Sequence, residues 1–145
     1  MIFLYIVIAI IALFIFMGLL SQKGAAPGLI NGRLAEPDTK PNVVCSEVDT
    51  QSERAVAPIK GTVKAVASAI EATGGTITAR SDEYVSATYL SKIFKFVDDV
   101  EIRRDGDVCQ IRSGSRVGYS DNGVNRKRVE TIRRAVKSNV AINTK

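Results

Sequence analysis

The sequence predicts an α+β fold: a single N-terminal transmembrane helix followed by a small antiparallel four-stranded sheet packed with two helices. Three observations predict it. The first twenty residues are almost wholly apolar and carry no charged side chain. Two later segments repeat apolar residues with helical spacing, and four β-branched or aromatic runs joined by short turns lie between them. Short turns imply an antiparallel meander, and two amphipathic helices then have one apolar sheet face on which to pack. The 145 residues divide into an anchor over 1–21, an extended Pro/Gly leader over 22–58 and an α+β domain over 59–145.

Ile2 to Leu20 offers nineteen residues, and at about 1.5 Å per residue a helix of that length covers roughly the ~30 Å hydrocarbon thickness. A cleaved signal peptide would show a basic start, a shorter apolar run and a small-residue cleavage site. Here no Lys or Arg precedes the run, and Gly24, Ala25 and Ala26 are followed at once by Pro27. The expectation is an uncleaved single-pass anchor. Its Ala9, Ala12 and Gly18 interrupt bulky side chains and suit helix–helix packing. Only the terminal amine lies before the helix, while Lys23, Arg33 and Lys40 follow it, so charge alone points the domain to the cytoplasm.

From Ser21 to Pro58, four prolines and several glycines break any long element. The apolar spots Leu29-Ile30, Leu34 and Val43-Val44 predict a leader that packs along a surface. Thr62 to Thr73 reads as a helix, with Val63, Val66, Ala67 and Ile70 on one stripe and Gly74-Gly75 as its stop. Thr76 to Ala79 and Tyr84 to Leu90 are strands around an Arg80-Ser81-Asp82-Glu83 turn. A second hairpin turns at Asp105-Gly106, which pairs Arg104 with Asp107, Ile102 with Cys109, Val100 with Ile111 and Asp99 with Arg112. Val100, Ile102, Cys109 and Ile111 then face the core, and Cys109 is a small core residue. Val124 to Asn139 is an amphipathic helix with Val129, Ile132 and Val136 inward and a basic exterior.

The net charge of +5 is uneven: Ser113 to Lys145 holds eight basic residues and two acidic ones, leaving +6 there and near neutrality elsewhere. Such a face suits anionic headgroups, an acidic partner or plain solvation. Nucleic acid is not expected, because no aromatics interleave the basic helix and the chain is tied to a bilayer. The chain contains no histidine, which excludes a Ser-His-Asp or Cys-His arrangement and an imidazole zinc site. No phosphate-binding or dinucleotide fingerprint is present. The expectation is a non-catalytic protein without cofactor or metal. Cys45 and Cys109 are compatible with a disulfide or with two thiols.

One segment stands apart. Between the last strand and the last helix, Arg112-Ser113-Gly114-Ser115-Arg116-Val117-Gly118-Tyr119-Ser120-Asp121 leads into Asn125-Arg126-Lys127-Arg128, and Phe96-Val97-Asp98-Asp99-Val100-Glu101 lies on the neighbouring strand. The candidate residues are Asp98, Asp99, Arg112, Ser113, Ser115, Arg116, Asp121, Asn125, Arg126 and Arg128. Two readings stay open: an ion-pair network that pins the loop to the sheet, or an anion site helped by the helix N-terminus. Asp98 and Asp99 point to opposite faces of a strand, so they are no general acid/base pair.

Together with Pro27-Gly28-Leu29 and Pro41-Asn42-Val43, these runs resemble the uncharacterised family catalogued as domain of unknown function 1499. That family's leader usually has a cysteine directly after its Pro-Asn pair, where this chain has Val43 and, two positions on, Cys45. The resemblance implies a membrane-associated or exported domain of bacteria and plastids, here at the bacterial inner membrane; it favours the periplasmic side where charge favours the cytoplasmic one, and both sides stay open. It implies no activity. The functional expectation is a membrane-anchored accessory subunit or scaffold that meets other membrane-protein subunits. The alternative is a binder of an anionic small molecule or lipid headgroup.

Overall fold

A computed structural model describes residues 1–38 and 40–143. Lys145, counted above with the basic segment, lies outside the described residues. The apolar helix α1 spans Ile2–Gln22, is long and apolar enough to cross a membrane, and buries only Gly18 and Ser21. The leader then forms a two-residue hairpin, β1 (Leu29–Ile30) and β2 (Arg33–Leu34), and a third strand, β3 (Val43–Cys45). Domain elements follow: β4 (Ile59–Lys60), α2 (Val63–Ala72), β5 (Thr76–Arg80), β6 (Tyr84–Leu90), β7 (Val97–Asp105), β8 (Val108–Ser115) and α3 (Val124–Asn143).

The fold is α+β and antiparallel as expected, but the main sheet has six strands in place of four. The four expected strands are β5 to β8. The leader adds β3 along the free edge of β8 at Arg112–Gly114, and β4 joins the same edge at Val108–Cys109. An edge strand exposes unpaired amides and carbonyls, and the leader satisfies them. It thus belongs to the folded unit.

The register of the β7–β8 hairpin also needs correction. Asp105 pairs with Val108, Ile102 with Ile111, Glu101 with Arg112 and Asp99 with Gly114. The central turn residues are therefore Gly106 and Asp107. A turn centred on Asp105-Gly106 needs both residues at positive φ. Here Gly106 takes φ 63° while neither Asp105 nor Asp107 does, the pattern of a type II′ turn with glycine first. The correction moves each residue two places along its partner strand, a whole pleat period, so the faces survive while the partners change.

On one face, α2 and α3 cover Val85, Ala87, Val100, Ile102, Cys109 and Ile111, joined by Val66, Ile70, Val129 and Ile132 from the helices. α2 is held by Thr62, whose hydroxyl accepts from Ala65 N at 3.2 Å, and by Thr73 at its end. The other sheet face is polar, and the leader lies over it.

Candidate functional site

Beneath the leader, β7 and β8 present alternate residues Asp99, Glu101 and Arg103 beside Gln110 and Arg112. Glu101 is fully buried and serves three partners. Its carboxylate accepts from Tyr84 Oη at 2.7 Å, from Gly28 N at 2.8 Å and from Arg112 Nη1 at 3.4 Å. Arg112 also donates from Nε to Ala35 O at 3.1 Å, so strand and leader are tied twice at one point. Burial, then the neighbouring Glu101, pushes the Tyr84 phenol up.

Glu47 closes the next stretch of leader. It accepts from Leu34 N at 3.0 Å, from Arg103 Nε and Nη2 at 2.6 and 2.9 Å, and from Arg33 Nε at 3.3 Å. The Arg103 fork holds its carboxyl down at about 2.

The apolar helix α1 ends on the same face. Asp99 accepts a bidentate pair from Arg116 Nε and Nη2, both at 2.7 Å, and Arg116 Nη1 donates to Ser21 O, the last turn of α1, at 3.2 Å. The Ser21 hydroxyl donates to Gly18 O at 2.6 Å and accepts from Val97 N at 3.0 Å. Gly18 lies so close to the β6–β7 loop that an added Cβ would stand 1.9 Å from Phe94 O. Phe14 packs on Phe94 and Phe96 with ring centroids 5.1 and 6.3 Å away. Gly18, expected on a stripe for helix–helix packing, is occupied by the chain's own domain.

Asp98 turns to the helix face, as the alternation requires. It accepts from Arg128 Nη2 at 2.6 Å, and that guanidinium lies 4.7 Å from the Tyr89 ring centroid. Asn125, fully buried, accepts from Ser113 Oγ at 2.6 Å and from Arg128 Nη1 at 2.5 Å. Its amide donates to Asn42 O and Ser115 Oγ, each at 3.0 Å. Asp121 accepts from Gly123 N at 3.0 Å and Asn125 N at 2.6 Å, which satisfies free amides where α3 begins. Arg126 sits apart and donates to Ala55 O and Glu53 O of the leader at 2.8 and 2.7 Å.

The ten residues singled out from sequence thus fall into two clusters back to back through the sheet, with Arg126 outside both. Asp99, Arg112 and Arg116 join Lys23 and Lys40 around a cleft of about 390 Å³ at the end of α1. A larger cavity of about 770 Å³ opens at the far end of the sheet between the start of α2 and the hairpin tips, and includes none of the ten. Every arginine of the set has an acidic or carbonyl partner. Sequence reasoning missed Glu47, Glu101, Arg103 and Tyr84. The pairing of Glu101 with Arg112 was detectable from the hairpin once its register is read from Gly106, but the burial of Glu101 depends on the leader.

The cysteines resolve as two buried thiols. Cys45 pairs across from Arg112 on the leader face, whereas Cys109, three residues along β8, faces the helices, so no disulfide geometry is available. Burial raises both thiols, Cys109 to about 11. No cluster of metal-ligating side chains occurs among the described residues.

No curated protein sequence matches the chain. Residues 33–136, from β2 into α3, match the family described as protein of unknown function (DUF1499), and they contain both clusters and all but the anchor end of the leader's contacts. The chain belongs to that family.

Proposed function

We propose that the chain is a non-catalytic, membrane-anchored domain that serves as an accessory subunit or scaffold of a larger membrane protein complex. One observation carries the reading: an exposed apolar helix of spanning length is locked to the domain through Gly18, Ser21 and Arg116. Cleavage beyond Ser21 would deprive Val97 N of its acceptor and Arg116 of its Ser21 contact, and bare the Phe94–Phe96 surface, which favours an anchor over a removable signal. A helix fixed to its domain presents one defined face to neighbours in the bilayer, which is what a subunit needs. The arginines, held by Asp98, Asp99, Glu101 and leader carbonyls, tie the leader and α3 to the sheet, and Arg116 alone also reaches α1.

Extraction in mild detergent, with size separation and mass spectrometry of what travels with the protein, tests the proposal. A defined set of companions is expected, and exchange of residues 1–20 for a generic anchor should weaken it. Recovery as a lone monomer from native membranes would sink the idea.

The cleft at the end of α1 favours a second reading, the binding of an anionic lipid headgroup. Lys23 and Lys40 line it beside Arg112 and Arg116, at the level where a spanning helix leaves the bilayer. The carboxylates of Glu36, Asp38 and Asp99 line it too and offset most of that charge. Lys23→Ala with Lys40→Ala, which spares the folded network, should lower binding to anionic vesicles if this reading holds. Unchanged binding would remove it.

A further inference from the structure

We infer that the loop between β6 and β7, Ser91–Phe96, is a second membrane-contact element that enters the bilayer interface beside the end of α1. The inference rests on reading α1 as a spanning helix. Phe14 lies seven residues before Ser21, about 10 Å down the helix axis. Phe94 and Phe96 pack on that ring, and the Phe94 carbonyl lies against Gly18. A helix whose last apolar residue marks the bilayer boundary therefore carries the loop below that boundary, to the depth of about 5–10 Å reached by interfacial elements.

The composition of the loop fits that place. Ile93 at its tip is 81% exposed, a large aliphatic side chain turned to solvent. Lys92 and Lys95 flank it, both exposed, and such stems lie along apolar surface while the ammonium reaches headgroups. The loop is also held in one shape. Ser91 N donates to Phe96 O at 2.9 Å, Phe96 N donates to Ser91 Oγ at 2.9 Å, and Lys95 is kept at φ 58°. A tight, closed loop presents Ile93 with little ordering entropy left to lose. The occupant of this surface is the lipid interface, with anionic headgroups preferred by the two lysines. Together with α1, the loop gives the domain two fixed points on the bilayer and so sets its tilt.

Three variants of the full chain test this: Ile93→Cys in the loop, Ile8→Cys in α1 and Asp107→Cys at the far hairpin. Each is labelled with an environment-sensitive fluorophore and reconstituted into vesicles of phosphatidylcholine with phosphatidylglycerol. Cys45 and Cys109 are buried and stay unlabelled in the folded chain. The expected result is that labels at positions 8 and 93 lose most of their emission to nitroxide-bearing lipids and little to aqueous iodide, while the label at 107 behaves in the opposite way. A lipid-quenched label at 8 with an iodide-quenched label at 93 overturns the loop inference and leaves the anchor standing. An iodide-quenched label at 8 overturns the anchor reading and the inference with it.

Discussion

Glu47 reaches down from the leader with both carboxylate oxygens occupied by donors from β2 and β7. Because its folded value is depressed from an ordinary 4.5 to about 2, it stabilises the fold fully above pH 4.5 and loses that contribution as the pH falls towards 2. Glu47→Gln should therefore lower the stability of the detergent-solubilised chain at pH 7 by on the order of 3 kcal/mol. The difference should close near pH 2, as read by denaturant melts across pH. Asp99 is a harder test of the network. Asp99→Ala leaves the largely buried Arg116 guanidinium with the Ser21 carbonyl and no counter-charge, and loss of one partner of a buried pair costs about 3–5 kcal/mol. Cys45 and Cys109 should stay inert to a maleimide in the native chain and react together on unfolding, with no shift on reduction beforehand.

At the level of elements, the joint between α1 and the sheet decides how the protein behaves. Gly18→Val places atoms against the Phe94 backbone carbonyl, which has no flexible end to give way. α1 must then lift, and Val97 N loses the Ser21 hydroxyl. An amide stripped of a buried hydrogen bond loses about 1–3 kcal/mol of protection, so its exchange should accelerate roughly tenfold or more. The Ile102 amide, deep in the β7–β8 pair, should be unchanged. Equal acceleration at both sites would mean that α1 supports the whole sheet and is no mere attachment.

For the whole molecule, local patterns were legible wherever a segment carries its own period or cap. α2 lies between the Thr62 and Thr73 named from its spacing, β6 has the expected bounds, and α3 starts at Val124. β3 in the leader and β4 just after it were not legible as strands, because they are two or three residues long and their place is set by pairing along β8. The β1–β2 hairpin does carry a local signal in Asn31-Gly32, both at positive φ between Ile30 and Arg33. Within the candidate site, Asp98, Asp99, Arg112, Arg116 and Arg128 were visible as a dense polar run, but the contacts of Arg112 with Ala35 and of Arg116 with Ser21 were not. Arg116 reaches Ser21, 95 positions away, and no short-range pattern encodes such a contact. The polar sheet face was hidden for a related reason: alternation marked Glu101 as outward, and only the leader's cover makes outward a buried position.

α1 and the domain are docked as one body through Gly18, Ser21 and Arg116. The most direct measurement is the distance distribution between spin labels at Ile8→Cys and Asp107→Cys, in the full chain reconstituted in lipid nanodiscs. A docked helix predicts a single narrow distribution that broadens when Gly18→Val is added. A broad distribution in the parent chain would contradict the account and leave α1 a flexible tether.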